Sequence, residues 1–145
     1  DIIHYFDLIV SKYKPKVILL YAGDNDIAAK KTPKRFLVDY QKFVKLVNDN
    51  IPGCSIIFIP IKPSPARWKY WNNMREANSL VNQYIKKFSN QYYVDIVGPM
   101  LNDRGRPISE FFISDSLHLS FEGYNLWSEI VHPLLDEVID ESIKR

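Results

Sequence analysis

The chain has 145 residues, 46% of them hydrophobic and 25% charged, which is the composition of an ordinary globular protein with a buried core. Its net charge of +2 is too small to indicate binding to nucleic acid or to an anionic membrane surface. The single cysteine, Cys54, excludes an internal disulfide and gives no sign of a thiolate metal site, and no apolar run is long enough to span a bilayer.

Helical and strand-like patterns alternate along the chain, beginning with an apolar stripe at helical spacing. This stripe predicts a first helix over residues 2–13, and the apolar run that follows predicts a strand over residues 16–21. After Lys16 the run carries no charged residue, which is typical of a parallel strand that is covered on both faces. A second helix is predicted to begin with Thr32 as its N-cap and Pro33 at its first position.

The second half of the chain continues this alternation. The later elements predicted are two strands, over residues 55–61 and 92–97, a helix over residues 68–89 between them, and a last helix from about Phe121. Strands separated by helices of this length predict a three-layer α/β/α sandwich with a parallel sheet. In such sheets, functional residues gather just beyond the carboxyl ends of the strands.

The segment Gly23-Asp24-Asn25-Asp26 directly follows the first predicted strand, at the edge where functional residues are expected. Gly23 permits a backbone conformation that other residues resist, or the close approach of another group. The amide of Asn25 is a neutral donor that can stabilise an oxyanion formed only in the transition state, an effect worth about 3 kcal/mol. The same residues are common in an Asx turn after a strand, so both interpretations stay open.

A second polar segment covers residues 115–118, DSLH, and is followed by Gly123-Tyr124 at the start of the last predicted helix. Histidine is the side chain best suited to accept and return a proton near neutral pH, and it works best when a carboxylate orients its ring. A separation of three residues in a tight turn brings Asp115 within reach of His118. The alternative is that Asp115 caps the helix and that His118 is an ordinary surface residue.

Together the two segments supply an oxyanion donor and an Asp-His pair at one edge of the sheet, which is most of a serine hydrolase site. The motifs G-x-N-D after a strand and D-x-x-H with Gly-Tyr before the last helix resemble the SGNH, or GDSL-type, hydrolase family. The resemblance implies a flavodoxin-like fold and hydrolysis of a small-molecule, carbohydrate or lipid ester through an acyl-serine intermediate, without metal or cofactor. It also implies that Asn25 is the oxyanion-hole residue, His118 the general base and Asp115 its orienting acid.

The Gly-Asp-Ser block that carries the nucleophilic serine of this family does not occur in the chain. Together with the abrupt start at Asp1, its absence predicts a single domain over residues 1–145 that lacks the N-terminal strands of the fold. We expect such a chain to be inactive without its serine block. Ser64, between two prolines, and Ser116, beside its own histidine, are poor replacements because nucleophile, base and oxyanion donor must converge on one point.

The strand predicted over residues 16–21 is then an open sheet edge with apolar side chains, which favours self-association. We expect either a further N-terminal segment or a second chain to cover this edge. No signal peptide is visible, and the cellular compartment stays open.

Two other functions are compatible with the sequence. One is a non-catalytic binding module that keeps the scaffold and uses the crevice or the open edge. The other is a metal-dependent phosphoesterase, in which Asp24 and Asp26 join the Asp-His pair in binding a divalent ion. The candidate substrate-binding residues are Gly23, Asp24 and Arg67. Arg67 either meets a substrate carboxylate or phosphate or ties down its own loop.

Overall fold

The computed structural model describes residues 2–144, in which three parallel strands form one sheet in the order β1-β2-β3. The strands are β1 (Val17–Tyr21), β2 (Ser55–Ile59) and β3 (Gln91–Tyr93). The α-helices are α1 (Phe6–Ile9), α2 (Asp24–Ala28), α3 (Pro33–Asn50), α4 (Trp71–Ile85) and α5 (Phe121–Lys144). None of these helices combines the length and the apolar character that crossing a membrane requires.

Helices cover both faces of the sheet, and the side chains of β2 alternate between the two cores that lie on these faces. Ile56 and Phe58 pack into a core with α3 and α4, whereas Ile57 and Ile59 pack into a second core with α5. Every residue of β2 is buried, as expected for a central parallel strand. The predicted α/β/α sandwich with a parallel sheet is therefore confirmed.

The longest helices begin at polar caps. The Thr32 hydroxyl accepts a hydrogen bond from the backbone N–H of Arg35 at 3.2 Å, which caps α3 just before Pro33, as predicted. The Ser120 hydroxyl accepts a hydrogen bond from the backbone N–H of Gly123 at 3.1 Å, one turn into α5. Because α5 has this cap of its own, its start is fixed independently of the polar turn that precedes it.

The helix predicted over residues 2–13 is wrong in extent. Only Phe6–Ile9 is α-helical, and a 3₁₀ turn over Ser11–Tyr13 follows it. Phe6 and Val10 are the buried side chains of this segment. Two anchored side chains hold about one helical turn, and a helix that short has little stability beyond its packing.

The helix predicted over residues 68–89 is shorter than expected, because the α-helix α4 spans only Trp71–Ile85. A 3₁₀ helix over Pro65–Tyr70 precedes it, and Arg67 within that segment has a non-helical φ of −114°. The α-helical pattern of hydrogen bonds therefore starts only after this irregular turn.

The strand predicted over residues 55–61 ends two residues early, at Ile59. Beyond this point the backbone of Ile61 bonds to the side-chain amide of Asn78 instead of to another strand. The N–H of Ile61 donates to Asn78 Oδ1 at 2.8 Å, and Asn78 Nδ2 donates to the carbonyl of Ile61 at 2.9 Å. A buried asparagine on α4 thus takes the place of a strand partner.

The strand predicted over residues 92–97 is also shorter, because β3 spans Gln91–Tyr93. The carboxylate of Asp95 accepts hydrogen bonds from the backbone N–H groups of Val97 and Gly98 at 3.0 and 3.3 Å. This turn ends the strand, and Asp95 therefore has a structural role as its hydrogen-bond acceptor.

The first strand is confirmed but is covered less completely than the prediction of two covered faces requires. β1 pairs with β2 on one side and with no other strand of residues 2–144 on its other side. Leu20 is buried against α3, whereas Leu19 on the opposite face is 43% exposed. A cavity of 610 Å³ lies beside β1 towards α3, and a groove of 420 Å³ lies along α5. β1 is therefore an open apolar edge, as the sequence predicts.

Candidate active site

The backbone turns sharply between β1 and α2 at Gly23. Its φ is +105°, and a Cβ atom at this position would lie 2.7 Å from the Phe36 ring and 2.8 Å from Cδ1 of Ile61. Both properties that the sequence predicts for this glycine, an unusual backbone conformation and a close approach, are therefore present. The tight packing determines where α2 leaves the sheet, and with it the positions of Asp24 and Asn25.

Asp24 lies at the centre of a network of charged and polar side chains. Its Oδ2 atom accepts a hydrogen bond from Lys62 Nζ at 2.8 Å and from the Tyr21 hydroxyl at 3.1 Å. Its Oδ1 atom accepts a hydrogen bond from Arg67 Nη1 at 2.6 Å. The side chains of Lys62 and Asp24 are only 7% and 13% exposed, so this is a largely desolvated ion pair.

The protonation states of this network follow from its contacts. Burial alone raises the pKa of Asp24, but hydrogen bonding and positive charge from Lys62, and then the charge of Arg67, outweigh burial and lower that pKa below its usual value. Burial raises the pKa of Tyr21, and the negative charge of Asp24 raises it further. Asp24 is therefore an anion, and the Tyr21 hydroxyl keeps its proton and donates a hydrogen bond to Asp24.

Asn25 is exposed, and its amide is held from one end. Arg67 Nη2 donates a hydrogen bond to Asn25 Oδ1 at 2.7 Å. The amide nitrogen, Nδ2, has no hydrogen-bond acceptor among the residues that the structure describes. The donor end of this amide is therefore free to bind a group outside the chain.

Asp115 and His118 form the hydrogen bond that their spacing predicts. The distance from Asp115 Oδ2 to His118 Nδ1 is 2.6 Å, and Asp115 Oδ1 accepts from the backbone N–H groups of Leu117 and His118, both at 2.9 Å. The side-chain bond from His118, followed by these backbone bonds, lowers the pKa of Asp115 to about 2. A carboxylate can only accept, so Nδ1 carries the ring proton and Nε2 is left as the acceptor in the neutral ring.

A short antiparallel bridge at its base stabilises the turn that carries this pair. Phe112 and Leu119 are both buried and form an antiparallel bridge. Inside the bridge, the N–H of Ile113 donates to the carbonyl of His118 at 2.9 Å. Asp115 therefore stabilises a turn ahead of α5 rather than the helix itself, which Ser120 caps.

The loop after β2 connects the two polar segments. Arg67 bonds to Asn25, and the backbone N–H of the neighbouring residue, Ala66, donates to the carbonyl of Ser116 at 3.1 Å. Ser116 lies between Asp115 and His118 in their turn. The structure thus brings the two predicted segments to the same loop, one residue apart along it.

The two serines considered as replacement nucleophiles are poorly placed. Ser64 is 2% exposed, and its hydroxyl has no hydrogen-bond partner among the described residues. Ser116 is half-buried and has a φ of +58°, and its carbonyl is already bonded to Ala66. A buried hydroxyl cannot reach a substrate carbonyl, and Ser116 occupies the turn that orients the histidine.

The acidic residues at the end of β1 are engaged with cations of the chain. Asp26 pairs with Lys31 at 2.6 Å, in addition to the pairing of Asp24 with Lys62 and Arg67. Residues 2–144 contain no group of three or more His, Cys, Asp or Glu side chains placed to hold a metal ion. This arrangement gives no support to the metal-dependent alternative.

Comparison with known proteins decides the family. The sequence profile of the GDSL-like Lipase/Acylhydrolase family matches residues 2–126. The chain belongs to this family. The predicted resemblance to GDSL-type hydrolases is therefore confirmed, and the family and its solved members are hydrolases of ester substrates.

Curated relatives of this GDSL-like chain include the platelet-activating factor acetylhydrolase IB subunit alpha2 of two mammals. The Rattus norvegicus protein is 30% identical over 133 residues, which are 89% of this chain and 56% of the relative. The Homo sapiens protein is 29% identical over the same shares. The chain therefore spans little more than half the length of the curated relatives that it matches.

Solved structures share the GDSL-type fold at low sequence identity. A GDSL-like lipase from Bacteroides thetaiotaomicron superposes with a TM-score of 0.75 at 18% identity, covering 93% of this chain and 69% of that one. A Geobacillus acetyl-xylooligosaccharide esterase superposes with a TM-score of 0.74 at 15% identity, covering 95% and 66%. Likeness at this level establishes the α/β/α fold alone.

Two residues behind the site of this GDSL-like chain, Lys62 and Tyr21, were not predicted from the sequence. Both donate hydrogen bonds to Asp24. The one available signal was a lysine directly after an apolar strand, at the edge where Gly23-Asp24-Asn25 was already expected. The candidate substrate contact Gly23 is buried, and Asp24 is bonded to three side chains of the chain itself, so their role towards a substrate stays a prediction.

Proposed function

We propose that this chain is the larger part of a serine ester hydrolase whose nucleophilic serine lies on polypeptide outside residues 1–145. The single observation that carries the proposal is the contact path between the two segments. Asp115 holds Nδ1 of His118, the same turn is bonded to Ala66, and the next residue, Arg67, holds Asn25. A base and an oxyanion donor, here connected through adjacent residues, are two of the three groups that acyl transfer needs, and the nucleophile is the third.

In the proposed reaction, Nε2 of His118 takes the proton of the serine hydroxyl as that oxygen bonds to the ester carbonyl carbon. Asp115 keeps the ring in the required tautomer and stabilises the imidazolium that forms. Nδ2 of Asn25 donates to the negatively charged oxygen of the tetrahedral intermediate. His118 then gives its proton to the leaving alcohol. In the second half of the reaction, His118 takes a proton from water as the water attacks the acyl-serine, and it returns that proton to the serine oxygen as the acid leaves.

The substrate class proposed is an ester of a small molecule, a carbohydrate or a lipid. The names of the platelet-activating factor acetylhydrolase relatives and of the Geobacillus esterase all specify an acetyl group. Acetyl esters are therefore the first substrates to test. The surface that selects the alcohol part of the substrate includes polypeptide outside this chain under the proposal.

A fluorophosphonate probe, which labels only an activated serine, tests the proposal. It is applied to the 145-residue chain and to an extended protein that adds the residues encoded upstream of Asp1, with acetyl ester hydrolysis measured in parallel. We expect labelling and hydrolysis in the extended protein only, and loss of both in its His118→Ala variant. A folded extended protein that is neither labelled nor active would refute the proposal.

The oxyanion role of Asn25 has its own test in the extended protein. Asn25→Ala is expected to lower kcat about 100-fold or more, the usual effect of removing one oxyanion donor. Asn73→Ala, at an exposed position of α4, is the matched control and is expected to keep full activity. Full activity in Asn25→Ala would show that the role assigned to it is wrong.

A non-catalytic binding module is the second candidate, and one observation favours it for the 145-residue chain. The Gly-Asp-Ser block is not in the sequence, and the two serines considered as replacements, Ser64 and Ser116, are poorly placed to attack. The fluorophosphonate experiment distinguishes the two candidates. Insensitivity of ester hydrolysis to a chelator would separate the serine hydrolase from a metal-dependent phosphoesterase.

We also propose that the 145-residue chain self-associates through β1. The unpaired side of this strand offers backbone hydrogen-bonding groups, and Val17–Tyr21 carries no charged residue to oppose pairing. The exposed part of Leu19 and the largely apolar groove along α5 that it lines add surface that a second copy can bury.

A further inference from the structure

Arg67 contacts two adjacent residues through two separate nitrogens. Its Nη1 atom bonds to Asp24 Oδ1 at 2.6 Å and its Nη2 atom bonds to Asn25 Oδ1 at 2.7 Å. We infer that Arg67 is a positioning residue, which aims the amide of Asn25 so that its N–H group faces the reacting carbonyl. The inference rests on the proposed esterase function and assigns to Arg67 an indirect part in it.

The chemistry of the amide makes its orientation depend on Arg67. An asparagine amide has one accepting end and one donating end of nearly the same size, so rotation by half a turn exchanges them with little steric effect. A guanidinium has only donors and can bind only the oxygen. With Arg67 on Oδ1, the donating Nδ2 end of Asn25 must point away from Arg67, which is the orientation an oxyanion requires.

The guanidinium is itself fixed from behind. Asp24 receives Arg67 on one carboxylate oxygen and Lys62 and Tyr21 on the other, and the side chain of Arg67 is only 19% exposed. The planar fork of an arginine holds two acceptors at defined positions, which a lysine ammonium cannot reproduce. The four side chains behind Asn25 are one carboxylate, Asp24, two cations, Arg67 and Lys62, and the neutral Tyr21. Their net charge is positive, which favours an anion in front of Asn25.

The same loop also connects the oxyanion donor, Asn25, to the turn that carries His118. The N–H of Arg67 donates to the carbonyl of Ser64 at 3.3 Å, and Ala66 is bonded to Ser116 in the turn of His118. Any movement of Arg67 therefore moves the oxyanion donor relative to the base. A misplacement of about 1 Å between catalytic groups costs on the order of 100-fold in rate.

The test compares Arg67→Met, Arg67→Lys and a surface control, Arg75→Met on α4, in the extended protein. We expect Arg67→Met to lower kcat by about 10- to 100-fold with KM within about twofold, since the donor serves only the transition state. Arg67→Lys keeps the charge without the fork and is expected to lose most of the same activity. Arg75→Met is expected to match the parent protein.

A double variant separates positioning from general structural support. In the Asn25→Ala background, Arg67→Met is expected to lower kcat by less than about threefold, because the amide that it aims is already gone. An Arg67→Met protein with unchanged kcat, or a double variant whose effects multiply in full, would overturn the inference. Denaturant midpoints of all variants are measured so that a loss of folding is recognised, and Arg67→Lys provides the comparison if Arg67→Met unfolds.

The failure of this inference is distinguishable from failure of the proposed function. An impaired Asn25→Ala protein beside a fully active Arg67→Met protein would refute only the positioning role. A fully active Asn25→Ala protein would refute the oxyanion role and the positioning role together.

Discussion

The side chains of His118 and Asp115 are joined by a hydrogen bond, 2.6 Å from Nδ1 to Oδ2, in a turn whose backbone N–H groups also bind the carboxylate. The pair is exposed, with 70% of the His118 side chain and 43% of the Asp115 side chain accessible. The structure therefore combines an oriented imidazole with an open approach to Nε2. An imidazole held in this way suits proton transfer to and from a partner that comes from outside the chain.

Asp115→Asn is expected to keep the turn but to lose the correct ring tautomer. In the extended protein we expect kcat for acetyl ester hydrolysis to fall about 10⁴-fold, the loss seen when the acid of such a triad is replaced by its amide. The measurement is steady-state hydrolysis, with Asp103→Asn on an exposed loop as the matched control. A loss of less than tenfold would show that Asp115 does not orient the base.

The carboxyl group of Asp115 is expected to titrate near its lowered pKa of about 2 rather than at its ordinary value of 3.8. Because the folded-state pKa lies below the unfolded one, the bonds of Asp115 stabilise the fold fully above pH 3.8. That contribution is lost as the pH falls through about 2. The carboxyl carbon resonance of Asp115, followed by NMR in the 145-residue chain, measures this directly, and a midpoint near 3.8 would contradict it.

The sandwich and both polar segments could be predicted from the sequence because their signals are local. Apolar runs mark the strands, Thr32 and Ser120 mark helix starts, and Asp115 and His118 are only three residues apart. The pairing of Lys62 with Asp24 spans 38 residues and depends on how two strand ends meet in the sheet. No local pattern contains that information.

The predicted ends of the second and third strands were wrong for a related reason. Ile61 and Val97 each lie at the end of a segment that looks like a strand, but their backbone N–H groups donate hydrogen bonds to side chains instead of to a neighbouring strand. Asn78 does so from α4, and Asp95 does so from within its own turn. Polar side chains that compete with a strand for hydrogen bonds become visible only once the fold places them.

Lys62→Met is expected to destabilise the fold, because it leaves Asp24 buried with one cation fewer. We expect the free energy of unfolding to fall by about 2–4 kcal/mol, somewhat below the usual effect of breaking a buried pair, since Arg67 and Tyr21 remain bonded to Asp24. Lys45→Met removes an exposed ion pair with Asp49 and is expected to change stability by less than about 1 kcal/mol. Urea unfolding of the 145-residue chain gives both values, and equal effects would show that burial does not strengthen the Lys62 pair.

Leu19→Lys tests the open edge of β1. Leu19 is 43% exposed on the strand that has no second neighbour among residues 2–144, so a charge there opposes pairing with another copy and removes apolar surface from the contact. We expect sedimentation velocity to show concentration-dependent association of the 145-residue chain, weakened about tenfold or more by Leu19→Lys. Ile143→Lys, near the end of α5, places the same charge on an exposed isoleucine away from the sheet and is expected to leave association unchanged. A monomer at every concentration, or equal weakening by both variants, would rule out self-association through this strand, because only a contact along β1 distinguishes the two positions.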